Sequence, residues 1–256
     1  MSHRETSSPP SFGPEERSRF DALSFDCYGT LIDWELGIGR VLAAWADAVD
    51  LSLTVEELLT LYATQEARAE REQPRALYPD ILARSFRAMG QSLEVEVADS
   101  WAERLGDSVG DWPAFPDSRQ ALERLRTRYQ LVVLSNVDRA SLARSLVHLG
   151  VEFEGLITAE DVGSYKPNPA NFDRLQAFAR SRGIHEGRLL HVAQSLFHDH
   201  VPAHRAGLPS VWINRRHGRA GWGATPPPSQ HVTVDWIFPD LSSFADAAVG
   251  DTDQSM

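Results

Sequence analysis

From Phe20 the chain moves between two kinds of apolar pattern, and their order along the sequence predicts its architecture. Residues 20–35, FDALSFDCYGTLIDWE, read as a short apolar strand that ends at Asp26 and turns at Gly29. From about Gly37 to Asp111 the apolar residues recur at helical spacing, as in Val41, Leu42, Trp45 and Val49, then Leu58, Leu59, Leu61 and Tyr62, then Ile81, Leu82, Phe86 and Met89. That spacing predicts about four helices. Beyond Pro113 and Pro116 strands and helices alternate. Strands are expected at Gln130–Asn136, Gly155–Ala159, Arg188–Ala193, Ser210–Asn214 and Asp235–Ile237, and helices at Ser118–Arg128, Ala140–Leu149, Pro169–Arg182 and Phe197–Ala206. Several of the strands are continuous apolar runs, as strands buried on both faces of a parallel sheet must be. The expected fold is therefore α/β, a Rossmann-like parallel sheet core split by an inserted helical cap domain. The core takes residues 19–36 and 114–249, the cap 37–113, and flexible tails 1–18 and 250–256. Gly and Pro near Glu35–Gly39 and Asp111–Pro116 suggest joints about which the insert moves.

In an open parallel sheet, ligands gather at the carboxyl ends of the strands. That rule brings Asp26, Ser135, Asn136, Lys166 and the Gln194–Asp199 loop to one rim, although they lie far apart in sequence. The rim then holds a nucleophilic carboxylate, hydroxyl and amide donors, and one cation. Each of these alone has a plainer explanation: a turn-capping aspartate, an ordinary strand-to-helix turn, a solvated lysine. Their joint occurrence in order is the signal.

Composition narrows the function classes. The chain has 256 residues, 42% of them apolar and 24% charged, which suits a folded protein with a sizeable core. Its net charge of −11 disfavours nucleic acid and anionic membrane surfaces as partners, leaving small molecules. Cys27 is the sole cysteine, so no intrachain disulfide forms. Residues 1–18 carry prolines and charges in place of a signal peptide's apolar stretch, and no run approaches the roughly 18 apolar residues of a membrane span. A cytoplasmic location is expected. Gly37-Ile38-Gly39 lacks the rest of a dinucleotide fingerprint, and Arg215-Arg216-His217-Gly218-Arg219 reads as a solvated loop.

The order D-x-Y-G-T-L at Asp26, L-S-N at Ser135 and Asn136, S-Y-K-P at Lys166 and an acidic helix entry at Asp199 resembles the haloacid dehalogenase (HAD) superfamily, from Phe20 to about Ala248. Tyr28 stands where the phosphatases of that superfamily carry a second aspartate. Gln194 stands where their magnesium site has its first acid, in Ala193-Gln194-Ser195-Leu196-Phe197-His198-Asp199. With the W-I-N-R stretch from Trp212 to Arg215, these features resemble the L-2-haloacid dehalogenase (type II) branch. No metal and no cofactor are expected.

The resemblance implies a covalent mechanism. Asp26 would displace halide from the substrate carbon, and water would hydrolyse the resulting ester at the aspartyl carboxyl carbon. Lys166 would pair with Asp26. Thr30, Ser135 and donors near Cys27 and Tyr28 would hold the substrate carboxylate, while Asn136, Gln194, Ser195 and Asp199 complete the rim. A halide-binding arginine is expected early in the insert, yet Leu61–Ala67 contains none, and Arg68, Arg71 and Arg75 read as solvated charges. Phe172 replaces an expected tyrosine, and Gln194-Ser195-Leu196 an expected S-S-N, so water must be positioned differently. Of the three nearby histidines, His191 reads as a core residue, and His198 and His200 as candidates for proton transfer or halide donation. The implied substrate is a short 2-haloacid, the assembly a homodimer. The alternatives are a phosphatase of the same superfamily acting on a small phosphorylated metabolite, and a catalytically idle binding protein with this fold.

Overall fold

The computed structural model describes residues 12–250 apart from 186, 220, 229–231 and 233. Within it six parallel strands form one sheet: β1 (Ala22–Phe25), β2 (Gln130–Ser135), β3 (Gly155–Thr158), β4 (Leu189–Ala193), β5 (Ser210–Ile213) and β6 (Trp236–Phe238), in the order β3-β2-β1-β4-β5-β6. This is the Rossmann-like order expected of the doubly wound class, and the chain reverses its winding direction between β1 and β4. Side-chain alternation along the strands sorts the core into two faces. Leu23, Phe25, Leu131, Val133, Leu190 and Val192 belong to one apolar cluster, and Ala22, Val132, Leu134 and Leu189 to the other. Ser24 and His191 share the second face, and the His191 ring stands edge-on to Phe172, 5.3 Å between centroids.

Helices cover both faces. In chain order they are α1 (Pro14–Arg19), α2 (Trp34–Ala48), α3 (Val55–Glu72), α4 (Tyr78–Ser92), α5 (Asp99–Asp107), α6 (Ser118–Leu125), α7 (Arg139–Leu149), α8 (Ala159–Val162), α9 (Pro169–Ser181), α10 (Val201–Arg205) and α11 (Leu241–Val249). The four helices from α2 to α5 lie between β1 and β2, where the apolar spacing predicts the insert. Local chemistry fixes their starts: the Asp33 carboxylate accepts from the Leu36 N–H, and Thr54 and Glu57 form a capping box. The chain therefore turns helical at Trp34, and Gly37 and Gly39 sit inside α2 instead of forming a joint. Gly37 is there for close packing, because a Cβ would fall 2.2 Å from the Trp112 ring.

Two further expectations change. Residues 1–11 and 251–256 of the expected tails lie outside the described residues. The described part of the first tail is structured: Phe12 is buried against Phe20, Trp236 and Phe244, and the Arg17 guanidinium donates to the Ala247 carbonyl. An apolar ring just ahead of a short helix anchors it. The Arg215–Arg219 loop is not simply solvated either. Arg215 pairs with Asp117 and donates to the Thr30 carbonyl at 2.8 Å, and Arg216 pairs with Glu35 at 2.8 Å and with Glu56. Both side chains are nearly buried, so this loop ties the sheet's carboxyl edge to α2 and α3.

Candidate active site

Asp26 follows the last residue of β1 and is buried. The turn behind it needs Gly29, whose φ of +89° is in the left-handed region and whose missing Cβ leaves room for the Trp34 indole and the Gln194 amide. Each Asp26 oxygen has one donor: the Lys166 ammonium reaches Oδ1 at 2.8 Å, and the Thr30 hydroxyl reaches Oδ2 at 2.7 Å. Thr30 in turn accepts the Gln194 N–H at 2.9 Å. Its single O–H is thus committed to Asp26, and it does not line the cavity. Thr30 orients the nucleophile candidate and is not placed to hold a substrate carboxylate.

Lys166 is 1% exposed, and its three N–H groups meet three acceptors: Asp26 Oδ1, Asp199 Oδ1 at 2.7 Å and the Leu134 carbonyl at 3.1 Å. Asn136 clamps the Lys166 backbone, its Oδ1 accepting the Lys166 N–H at 2.6 Å and its Nδ2 donating to the Lys166 carbonyl at 3.1 Å. Asp199 also accepts from His191 Nε2 at 3.0 Å, while His191 Nδ1 takes the Ser24 hydroxyl at 2.9 Å, the assignment those partners require. A continuous chain of hydrogen bonds therefore runs from Ser24 through His191, Asp199, Lys166, Asp26 and Thr30 to the Gln194 backbone.

The electrostatics follow from one cation shared between two buried carboxylates. Burial would raise both acids. For Asp199 the Lys166 ammonium and the His191 N–H outweigh burial and hold the carboxyl below the usual range. For Asp26 burial prevails over Lys166, and the Asp199 charge adds to it, so its carboxyl is raised. Burial would lower the Lys166 ammonium, but the two carboxylates outweigh it and raise it. Asp26 is thus the more basic carboxylate of the pair.

These groups open on a small cavity at the carboxyl edge of the sheet. Asp26, Tyr28, Ser135, Asn136, Lys166, Gln194, Ser195, His198 and Asp199 all line it. Ser135 Oγ, Asp199 Oδ2 and His198 Nε2 are buried and make no hydrogen bond to the protein, so three polar atoms are left to face a ligand. Ser195 accepts the His198 backbone N–H at 2.9 Å and its hydroxyl meets Nδ1 at 3.2 Å, which leaves the proton on Nε2. Burial holds His198 down to about 4, so this is a neutral donor at physiological pH.

Cys27 and His200 are not brought to the cavity. Cys27 is fully buried in the core, and burial pushes its thiol well above the ordinary value. His200 bonds the Ser210 hydroxyl and the Ala193 carbonyl, and burial holds it down to about 4. The widened turn of π-helix at Leu196–His200 presents His198 to the cavity and turns His200 back beneath β4 and β5.

Sequence reasoning missed Trp34, Glu66, Glu70, Tyr78 and Thr225. Glu66 and Glu70 are 3% and 6% exposed, on one face of α3. Glu66 Oε1 accepts the Tyr78 O–H at 2.8 Å, Glu70 Oε1 accepts from Asn136 Nδ2 at 3.2 Å, and Glu70 Oε2 lies 3.6 Å from His198 Nε2. Burial pushes Glu66 up to about 8 and Glu70 well above its ordinary value. Both occupy positions of the apolar stripe of α3, and that misplaced charge was the available signal.

The residues do not fit a divalent metal. The two acids of the rim already share the Lys166 ammonium, and Gln194 offers a neutral amide whose Oε1 accepts the Thr225 hydroxyl at 3.3 Å. Among the described residues no group of three or more His, Cys, Asp or Glu is arranged to hold an ion.

Comparison with known proteins places the chain in a family. The family model for haloacid dehalogenase-like hydrolases matches residues 20–177. The chain belongs to that family. Among curated HAD-like relatives, haloacetate dehalogenase H-2 of Moraxella sp. (strain B) is 26% identical over 202 residues, covering 77% of this chain and 87% of its own. The phosphatase YigB of Escherichia coli (strain K12), which acts on 5-amino-6-(5-phospho-D-ribitylamino)uracil, is 25% identical over 213 residues, covering 78% and 86%. Among solved HAD-like folds, L-2-haloacid dehalogenase from Xanthobacter autotrophicus with chloropropionic acid covalently bound superposes with a TM-score of 0.70 at 17% identity, covering 91% of this chain and 99% of that one.

Proposed function

We propose that this chain hydrolyses the carbon–halogen bond of short 2-haloacids, haloacetates including fluoroacetate among them, through an ester on Asp26 and without a metal. The observation that carries this reading is the pair of neutral groups standing where a phosphatase of this family carries acids: the Gln194 amide, whose Oε1 accepts the Thr225 hydroxyl at 3.3 Å, and the Tyr28 phenol, engaged with Ser145. The similarity to a haloacetate dehalogenase supports it, and so does the covalently bound chloropropionic acid in a dehalogenase of the same fold.

The chemistry proceeds from the geometry. Lys166 and Thr30 hold the Asp26 carboxylate so that a lone pair can attack the halogen-bearing carbon, and the halide departs with the bonding electrons. The free Ser135 hydroxyl is placed to donate to the substrate carboxylate. Water then attacks the Asp26 carboxyl carbon and the acyl–oxygen bond breaks; one water proton ends on the hydroxyl of the departing 2-hydroxy acid, and the other leaves to solvent as the Asp26 carboxylate is restored. His198, neutral and carrying its proton on Nε2, faces the cavity as a donor and not as a base. The helices α2–α5 act as a cap, since α3 and α4 form the wall of the cavity that faces the sheet edge. A groove of about 320 Å³ that shares Glu70 and Lys166 with the cavity, and has Arg71 and Phe197 on its walls, marks the side of entry. A homodimer is the assembly this reading carries, to be checked by light scattering. Among the described residues no helix is long and apolar enough to cross a membrane.

A phosphatase is the second reading, favoured by the similarity to YigB. Against it, the position of the phosphatases' general acid is Tyr28, whose hydroxyl is engaged with Ser145 at 2.8 Å and whose phenol burial pushes well above its ordinary value. The deciding experiment is a single turnover in oxygen-18 water with enzyme in excess, using bromoacetate and L-2-chloropropionate with EDTA present. The heavy oxygen is expected on Asp26, with unlabelled product and D-lactate from the chiral substrate. Label in the first-turnover product would demote Asp26 to a general base. No halide release, alongside metal-dependent cleavage of p-nitrophenyl phosphate, would favour the phosphatase. Asp26→Asn should lower turnover by roughly 10⁴-fold or more while the protein stays folded.

A further inference from the structure

The two walls of the cavity come from different parts of the chain. Asp26, Ser135, Lys166 and Asp199 come from the carboxyl edge of the sheet, and Glu66, Glu70 and Tyr78 from α3 and α4. Building on the dehalogenase reading above, we propose that Glu66 forms the leaving-group side of this site, its carboxyl O–H donating a hydrogen bond to the departing halide, with Glu70 and His198 beside it.

Three observations support this assignment. In-line displacement puts the halogen on the far side of the attacked carbon from Asp26, and the wall facing the sheet edge is the one built by α3 and α4. Lys166 cannot serve the halide, because all three of its N–H groups are already accepted by Asp26, Asp199 and the Leu134 carbonyl. No arginine and no second lysine lines the cavity among the described residues. Third, Glu66 has only one oxygen engaged, Oε1 accepting from Tyr78, and no cation pairs with it. A buried carboxyl without a cation keeps its proton, and Glu66 keeps it up to about 8.

The titratable groups around Glu66 and Glu70 preserve that state. On α3 itself Tyr62 is a buried phenol, α4 supplies Tyr78, and the loop before α9 supplies Tyr165; burial pushes all three above their ordinary value, so they stay neutral. From the sheet side the cavity holds Lys166, committed to its two carboxylates, the Asp26 and Asp199 carboxylates themselves, and the neutral His198. In the reaction the Asp26 oxygen–carbon bond forms, the carbon–halogen bond breaks with both electrons going to halide, and the proton remains on Glu66. The acid is therefore unchanged after each turnover. A carboxyl O–H is a directional, uncharged donor, so this wall suits a small anion without offering a cation to the substrate carboxylate.

The test is bromide binding to the full chain, followed by bromine-81 NMR line broadening at about pH 6 and about pH 9.5, for wild type, Glu66→Gln and Glu66→Ala. Wild type should bind at the lower pH and weaken by roughly tenfold or more at the higher one, as the fraction of protonated Glu66 falls. Glu66→Gln keeps a donor that does not titrate and should lose most of that pH dependence. Glu66→Ala should bind bromide at neither pH. Equal binding by wild type and Glu66→Ala would overturn the assignment, as would methylammonium binding that strengthens with pH and marks the pair as a cation site. Bromide release from bromoacetate, measured in parallel, separates the two claims. Release that is unchanged in Glu66→Ala removes the halide site and leaves the dehalogenase reading, whereas Glu66-dependent bromide binding without any turnover does the opposite.

Discussion

The sheet wall and the helix wall of the cavity bury acidic groups in opposite ways. At the sheet edge Asp26 and Asp199 share one ammonium, with further donors from Thr30 and His191. On α3 the partners of Glu66 and Glu70 are neutral, a phenol and an amide. Desolvation acts on both walls; on the first the shared ammonium opposes it, outweighing it at Asp199 but not at Asp26, and on the second the carboxyls answer it by keeping their protons. The same functional group is thereby a carboxylate paired with an ammonium on one side and a carboxyl without a cation on the other. Its partners, not its residue type, set its chemistry.

The largest expected break in this contrast is Lys166→Met. It leaves two carboxylates buried without a cation, so halide release should disappear and stability should fall by about 3–5 kcal/mol in urea unfolding. Adding Asp199→Asn should recover part of the stability and none of the activity. A single variant that unfolds at the wild-type urea midpoint would show that the shared ammonium does not stabilise the sheet edge.

On the helix wall the sign is reversed. The native state holds the Glu66 proton up to about 8, whereas the unfolded chain releases it near the ordinary value of 4.5, so wild-type stability falls as pH rises between those two values. Glu66→Gln cannot lose a proton. Its melting temperature relative to wild type should climb by several degrees from about pH 5 to about pH 8, and a gap that stays constant would mean Glu66 is ionised in the folded protein.

Smaller effects sharpen the picture. Ser135 Oγ has no hydrogen-bond partner in the protein, so Ser135→Ala should cost no stability and raise KM for haloacetate by roughly tenfold, about 1.4 kcal/mol, with kcat nearly unchanged. A matching loss of stability would mean that the hydroxyl serves the fold. The smallest effect is expected from Thr225→Val, which removes one long hydrogen bond to Gln194 and should change kcat/KM by about threefold or less.

The strands, the four inserted helices and the gathering of Asp26, Ser135, Asn136 and Lys166 at one edge were legible in the sequence, because continuous apolar runs and strand ends are local signals. The helix wall was not, since which face of α3 lies over the sheet edge depends on how the insert docks. Glu66 and Glu70 follow Leu59, Tyr62 and Ala63 along the buried stripe, yet an isolated pair of glutamates also describes an ordinary solvated face. His200 was misplaced for a different reason. The rim rule locates a loop to within a few residues, and a turn of π-helix decides which of its side chains faces the ligand. Arg215 and Arg216 show the same limit, because their partners Asp117, Glu35 and Glu56 are remote in sequence.

The placement of β1 at the centre of the sheet bears on how the chain is made. Ala22 pairs with Gln130 on one side and with Leu189 on the other, so the strand that leads into Asp26 is the first of the six to be synthesised and keeps one edge open until β4 follows. On a ribosome, the inserted helices can assemble from contacts close in sequence while the apolar Ala22–Phe25 segment still waits for both neighbours. Truncated nascent chains ending before β4 should accordingly leave that segment open to chaperones and proteases, and protection should arrive only once Ala193 has cleared the exit tunnel.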